Sequence, residues 1–544
     1  MRTIAFRSNR VRCIRFLVPC GGDWQPGLIS DPELTFVICF CSKLMYCVVR
    51  SQQTDMETKL NTDIDHVYTR KVLAAFKRIS QVPRPSGKEE KIVAWLMNWA
   101  TENGLEARSD AALNVLVEVP PSCGYEHAQT LVIQGHMDMV CEKSKGFEHD
   151  FDNDPIELVY TDDGWLTANQ TTLGADNGIA IAIAMVAATD STLGHPPLEL
   201  LFTTDEETGL TGANSLQPGF IKGKQLLNID SEDEGVFTVG CSGGEDARLS
   251  MPFVAEESLA SHSAVRLVAG GMSGGHSGID IIEERANAIK SLFRVIHLIS
   301  MKTDLRLSTV SGGTARNAIP RDAEAILLIP TQDVEMAKAL VAKQQNKLQA
   351  DYLKTDPGLS LILTSENDDF KATTAATTRA VIDVVFAYPD GISNMSRDIE
   401  GLVETSNNMA TISVEHKQLT ILSNQRSSNM DKLALLGERI RSVARLAGAS
   451  ADTSGAYTSW KPDMDSKLLA RCLAVYEKRF GRKPAVEAIH AGLECGIIGS
   501  KYEGMDMISF GPTIKNPHSP DEKIEIESIT KVWEFMIALF ESYR

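Results

Sequence analysis

The sequence predicts an α/β protein: a mostly parallel central sheet flanked by helices, interrupted by an inserted α+β domain. Three observations carry this. From His66 onward, short apolar runs alternate with stretches of helical periodicity. After about Ala255 that rhythm gives way to longer strand patterns and Gly/Ser loops, and from about Asp452 the first rhythm returns. With 544 residues, and roughly 150 residues per domain as a prior, several domains are expected. The expected divisions are an N-terminal extension (1–55), a first part of the α/β domain (56–254), the insertion (255–452) and a second part of the α/β domain (453–544).

In chain order, Tyr68 to Ile79 has helical spacing, with Val72, Leu73 and Phe76 on one face, and Pro83 and Pro85 end it. Ser86 is the expected cap of a second helix through Ile92, Trp95, Leu96 and Trp99. Strands follow near Asn114–Val119 and Leu131–Gln134. Asp176–Thr189 is apolar nearly all round, the mark of a buried helix. Leu198–Thr203 and Gln225–Ile229 have the length and composition of buried parallel strands. Within the insertion, a strand at Val265–Ala269, a helix from Ile281 to about Ser300, strands at Leu305–Ser311 and Ala323–Ile329 and a helix at Val334–Leu353 form one β-α-β-β-α passage. A similar passage follows: Leu361–Thr364, a helix at Thr373–Phe386, strands at Met409–Val414 and Gln418–Ser423, and a helix at Met430–Ala447. The pair reads as a duplication, or simply as the rhythm of an α+β domain. Strand-like Pro484–Ile489 and Met507–Phe510 and an amphipathic helix through Ile529, Trp533 and Phe540 complete the second part of the α/β domain.

Composition is that of a globular protein, 43% hydrophobic and 23% charged. A net charge of −18 argues against nucleic acid or an anionic membrane as partner. Five of the ten cysteines fall before residue 50 and the rest are scattered, so neither a disulfide framework nor a cysteine metal knuckle is expected, which points to a reducing cytoplasm. The first 55 residues are basic, with seven Lys/Arg against four Asp/Glu, and unlike the rest of the chain. The Leu34–Val49 run is broken by Ser42 and Lys43, too short for a membrane span. The segment reads as a disordered or non-native extension with the natural start near Met56; a targeting segment and an ordered accessory element are the alternatives.

Metal-ligand residue types recur at strand ends. His136-Met137-Asp138 closes the run Leu131 to Gly135; Asp176 lies in Leu-Gly-Ala-Asp-Asn-Gly; Glu206 and Glu207 follow Thr-Thr-Asp; Asp230 follows Asn-Ile; His518 sits between prolines. Singly each has an ordinary reading as a core histidine, a cap, a solvated acid or a loop residue. Their ordered recurrence at the ends of parallel strands, where open α/β sheets build their sites, favours a metal centre. Histidine and carboxylate without cysteine suits zinc or a similar divalent ion, and five ligands suit two ions sharing one carboxylate.

The ordered motifs GHMDMV, TTLGADNG, TTDEETG, NIDSEDEG, GGMSGGHSG, GGTARNAIPR, SWKPDMDS, HAGLECG and GPTIKNPHSP resemble those of the aminoacyl-histidine (cytosol non-specific) dipeptidases. That group belongs with the di-zinc metallopeptidases related to carboxypeptidase G, peptidase T and aminoacylase. The resemblance spans residues 66–544 and implies a catalytic domain with an inserted lid or dimerisation domain. It implies that Asp176 bridges two Zn²⁺ ions per chain, with Mn²⁺ or Co²⁺ as possible substitutes. One ion takes His136 and Asp230, the other Glu207 and His518. Asp138 orients His136, Glu206 is the general base and acid, and a cis peptide links Asp176 and Asn177. It further implies that His276 stabilises the oxyanion and that Asn317 and Arg426 hold the free carboxylate of a small peptide. His490 and Glu494 lie in a matching motif and receive no role. The implied activity is hydrolysis of L-dipeptides, Xaa-His types included, in the cytoplasm, by a homodimer or a monomer. An aminoacylase- or carboxypeptidase-like hydrolase, or a non-catalytic zinc-binding interaction protein, is the alternative.

Overall fold

A computed structural model describes residues 66–544 except Asp398, and before His66 only the backbone of four antiparallel strands between Ala5 and Ser51. The expectation of a disordered or non-native extension therefore falls largely outside the described residues.

Two sheets organise the described residues. The first has eight strands in the order 485–489, 236–241, 506–509, 225–228, 131–136, 198–203, 115–119, 106–109. Its four central strands, from 506–509 across to 198–203, run parallel to one another. Antiparallel strands Val115–Val119 and Glu106–Ser109 close one edge. Three of the central strands are buried along their whole length and 506–509 from Met507 on, the pattern of a sheet covered on both faces. Helices Val67–Ile79, Glu90–Glu102, Ala175–Thr189, Lys467–Phe480 and Ile526–Glu541 share one core with one face of the sheet, and the short helices Thr211–Ser215 and Glu494–Lys501 pack on the other.

Ala175–Thr189 is buried from Asn177 to Ala187, as its sequence predicts. Its contacts with Val67–Ile79 and the 131–136 strand are close because alanines and glycines face the sheet. A Cβ on Gly135 would come within 2.2 Å of Asn177 Oδ1 and 2.7 Å of Ala180 Cβ.

The second sheet lies within the insertion and has nine strands, in the path 360–365, 262–270, 323–330, 306–312, 403–415, 418–427, 243–252, 450–457, with 391–395 paired onto 403–415. Its two halves meet at a single pairing, Gly312 with Ile412. Two expectations change here. Strand Ser360–Ser365 pairs with His262–Gly270, so it completes the first half rather than opening the second passage. The corresponding place in the second half is taken by Gly243–Pro252, paired with Gln418–Ser427 and Ser450–Tyr457. The change of sheet thus comes at Gly243, before Ala255, and lasts to Tyr457. The long helix expected from Ile281 is also broken: a 3₁₀ turn, Ile279–Glu283, precedes helix Ala288–Ser300, which Asn287 caps.

Because Ile183 has no exposed surface and sits in the helix that begins at Asp176, Ile183→Ala is expected to destabilise the catalytic domain by about 2–5 kcal/mol. The urea midpoint of unfolding measures this.

Candidate metal centre

All four central strands end at the same edge, and the candidate ligands stand just beyond those ends. His136 is the last residue of its strand, Glu206 and Glu207 follow the strand ending at Thr203, and Asp230 follows the one ending at Asn228. His518 comes from the loop after the strand ending at Ser509, and Asp176 from the start of helix Ala175–Thr189. The peptide between Asp176 and Asn177 is cis.

Asp176 faces two histidines, one with each oxygen. Its Oδ1 lies 3.1 Å from His136 Nε2, and its Oδ2 lies 3.1 Å from His518 Nε2. His136 Nε2 is also 3.5 Å from Asp230 Oδ1, and His518 Nε2 is 3.0 Å from Glu207 Oε2. Two ligand groups result, His136–Asp176–Asp230 and Asp176–Glu207–His518, in each of which one ligand atom per residue lies within 4.8 Å of the others. Glu206 joins His136 and Glu207 in a further group of the same spread.

Asp138 stands behind His136. Its Oδ1 is 3.3 Å from His136 Nδ1, and it accepts from the backbone N–H of Glu206 (3.1 Å) and Glu207 (3.2 Å) and from the Ser86 hydroxyl (2.8 Å). Ser86 is therefore not the expected helix cap: helix Glu90–Glu102 starts at Glu89 without a side-chain cap, and the hydroxyl is spent on Asp138. Asp205 adopts a left-handed conformation, φ 49°, and the short helix Glu206–Gly209 starts immediately after it. This turn separates two consecutive glutamates: Glu207 reaches His518 while Glu206 stays beside His136. Glu89 accepts from the Asp205 N–H at 2.9 Å and holds the turn from below.

The acids crowd one another. Burial raises the Asp230 pKa to about 7; the His136 charge opposes this, and Asp176, Glu494 and Glu207 add to it. Burial likewise raises Glu206 well above the carboxylate range, opposed by His136 and reinforced by Asp230 and Glu207. Glu207 is raised by burial and then by Asp176. For His518 burial works against the charged form, but contacts with Asp176 and Glu207 outweigh it and lift its pKa to about 11. For Asp138 burial is again outweighed, by the adjacent His136, the Glu206 N–H and the Ser86 hydroxyl, which hold it at about 2.

Such a donor set fits divalent cations. Five carboxylates surround two imidazoles, and sulfur is absent from the set. Glu207 Oε1 is buried with no hydrogen-bond partner, an acceptor that a cation would satisfy. His136 aims Nε2 into the cluster, and Asp138 Oδ1 lies 3.3 Å from its Nδ1 without hydrogen-bond geometry, an approach that a small turn of the ring would convert into the carboxylate–histidine pair that fixes the tautomer of a metal-ligating histidine.

The inserted domain gathers a second group. His276 Nδ1 faces the N–H of Gly278 (3.3 Å) and Ile279 (3.1 Å) while the Arg426 guanidinium faces Nε2, so donors stand at both ring nitrogens. Burial, then the charge of Arg426, lowers the His276 pKa to about 4. Arg426 Nη2 is 3.4 Å from His276 Nε2, and Nη1 donates to Tyr457 Oη at 3.0 Å. Its buried Nε has no partner. Asn317 is exposed; its carbonyl accepts from Ser277 N–H at 2.8 Å, which places it beside the His276 loop. His490 bonds Ser406 Oγ at 2.8 Å, and burial and Arg426 lower its pKa to about 3. Glu494 lies beneath the metal centre, accepting from Gln134 Nε2 and Thr203 Oγ1, both at 2.6 Å.

Sequence reasoning missed the residues that hold these loops. Arg84, between the two prolines read only as helix breakers, is buried and donates to the carbonyls of Met137 (3.0 Å), Asp138 (2.8 Å) and Gly174 (2.5 Å). Gly174 has φ 67°, and a Cβ there would meet Arg84 Nη2 at 2.5 Å. Asn177 Nδ2 donates to Ile229 O at 2.6 Å, tying Asp176 to the strand end that carries Asp230. Glu522 accepts from the backbone around Asp176. An isolated arginine or glutamate gives no periodic signal; only its place inside a motif could have drawn attention to it.

The chain matches peptidase family M20/M25/M40 over residues 132–542. It is 37% identical over 466 residues to the cytosol non-specific dipeptidase of Escherichia coli (strain K12), covering 86% of this chain and 96% of that protein. Among solved structures it resembles the aminoacylhistidine dipeptidase of Vibrio alginolyticus, with TM-score 0.79, 39% identity, and coverage of 87% and 96% of the two chains. The aminopeptidase PepT of Bacillus cereus, at 16% identity and TM-score 0.50 over 87% of this chain and 98% of that one, shares the fold.

Replacing the acceptor behind His136 tests the geometry. Asp138→Asn is expected to lower divalent-metal affinity by about 10–100-fold with the fold retained. Competition with a chromogenic chelator measures the affinity, and circular dichroism the fold.

Proposed function

The chain belongs to peptidase family M20/M25/M40, and on that premise we propose that it is a cytoplasmic di-zinc dipeptidase acting on L-dipeptides, Xaa-His types included. The observation that carries this reading is Asp176, with one oxygen in each of two histidine–carboxylate clusters and Glu206 beside them. The dipeptidase names of the relatives from Escherichia coli and Vibrio alginolyticus support the substrate class. The cytosolic relative supports the location, and no helix among the described residues is long and apolar enough to cross a membrane.

In this reading His136 and Asp230 would hold one Zn²⁺, Glu207 and His518 the other, and Asp176 would serve both. When bound, the ions would lower the pKa of an attacking water and polarise the scissile carbonyl. Mn²⁺ and Co²⁺ are suitable substitutes for the same donors. Glu206 takes the proton of the attacking water and passes it to the leaving amine, from its place beside His136 and Glu207. His276 donates to the developing oxyanion through Nε2, the ring nitrogen turned away from the Gly278 and Ile279 N–H groups. Arg426 presents its guanidinium fork to the free carboxylate of the substrate, with Asn317 as second donor. Asp138 keeps His136 in its ligating tautomer. The protein acts as a homodimer through the inserted domain, whose surface carries exposed Ile279 and Ile282.

Glu206→Ala is expected to lower turnover of a dipeptide panel by at least about 10²–10⁴-fold while metal content, read by atomic absorption, stays at the wild-type value. Hydrolysis by this variant at the wild-type rate would sink the assignment. Chelation should abolish activity, and Zn²⁺, Mn²⁺ or Co²⁺ should restore it. An N-acylated dipeptide should be a poor substrate; rapid cleavage of one would instead favour an aminoacylase-like activity.

A further inference from the structure

We propose that Glu522 is a positioning residue that locks the His518 loop to the Asp176 loop and so sets the affinity of the Asp176–Glu207–His518 cation site. The inference rests on the two-cation reading above.

Glu522 lies four residues after His518 and is almost completely buried. Its carboxylate accepts four consecutive backbone N–H groups: Oε2 from Leu173 (2.7 Å) and Gly174 (2.9 Å), Oε1 from Ala175 (2.8 Å) and Asp176 (3.3 Å). These donors lie just before the regular turns of helix Ala175–Thr189, since Asp176 and Asn177 have non-helical φ and ψ, and four N–H groups aimed at one carboxylate hold it in a single place. The carboxylate therefore fixes the backbone that carries Asp176.

The other end of the clamp is the His518 loop. The Glu522 N–H donates to Ser519 O at 3.0 Å, and Thr167 Oγ1 donates to Glu522 O at 2.7 Å, which pins the main chain of Glu522 to strand Trp165–Ala168. Between His518 and Glu522 the turn is closed by Ser519 and Asp521. His518 has φ 59°, uncommon for a residue with a Cβ, and its side chain is 50% exposed, so little packing holds it in place. Its position against Asp176 Oδ2 depends on the registration of these two loops. His136 and Asp230, by contrast, stand at the ends of central strands and need no such link.

The consequence is asymmetric. Loss of the clamp displaces two ligands of the Asp176–Glu207–His518 site, Asp176 and His518, but only Asp176 of the His136–Asp176–Asp230 site. The first of these is also the more exposed and would take the weaker, second cation. In Glu522→Gln an NH₂ group replaces one oxygen and faces N–H donors, so two of the four bonds are lost.

The test titrates metal-free protein with Co²⁺, following visible absorption and heat, for wild type, Glu522→Gln and Glu522→Asp, each also in a His518→Ala background. Glu522→Gln is expected to weaken the second equivalent by about 10–100-fold and the first by a smaller factor. Glu522→Asp, which keeps the charge on a shorter side chain, should fall between wild type and Glu522→Gln, and it carries the test if the Gln variant does not fold. With His518→Ala, one equivalent remains, and adding Glu522→Gln should weaken it no more than the first equivalent is weakened when His518 is present. Equal weakening of both equivalents, or none, in a wild type that binds two overturns the clamp alone. A wild type that binds fewer than two overturns the two-cation reading and the clamp with it.

Discussion

A single carboxylate with two oxygens, Asp176, imposes the central constraint on this structure. Each oxygen meets a different histidine, and each histidine meets a further carboxylate. Such an arrangement tolerates little error, because histidine and carboxylate ligands must converge to within a few tenths of an ångström for a cation to bridge them. It also concentrates negative charge in a buried place, which only cations and oriented donors can balance. The surrounding structure supplies that balance. Helix Ala175–Thr189 is buried from Asn177 to Ala187, the N–H groups leading into it are tied to Glu522, and Arg84 bonds the carbonyls on both neighbouring loops.

The same economy governs the paired glutamates. Asp138 accepts from both their N–H groups while facing His136, so one carboxylate positions a histidine and the turn that separates Glu206 from Glu207. Glu89 secures that turn through Asp205. In the inserted domain, Arg426 is set between His276 and Tyr457, and Gly278 leaves the room: a Cβ there would come within 2.4 Å of His490 O and 3.1 Å of Arg426 Nε. Residues from both domains thus meet at a group suited to an anionic end of a small ligand.

Much of this was legible in the chain. The buried helix, the central strands and the C-terminal helix follow from periodicity and apolar runs, because each element's burial is written in its own residues. Ligand types were legible because they recur at strand ends. The boundary of the insertion was not: Gly243–Pro252 alternates like any strand, and only its partners, Gln418–Ser427 and Ser450–Tyr457, place it in the second sheet. Ser86 misled for a similar reason, since a serine before a helix looks like a cap whether its hydroxyl turns to the helix or to Asp138.

By itself, the sequence determined which residues are apolar and in what period, and therefore the α/β class, the strand ends at which His136, Glu206, Glu207 and Asp230 stand, and the buried helix that starts at Asp176, with His518 in a loop beyond the last central strand. Tertiary structure alone decided which of these share a neighbour. His518 reaches Asp176 across 342 positions of sequence, and Glu522 reaches Ala175 across 347. Local periodicity holds no information about such distances; they are fixed by the order in which strands join the sheet, which brings the strand ending at Ser509 beside the one ending at Asn228.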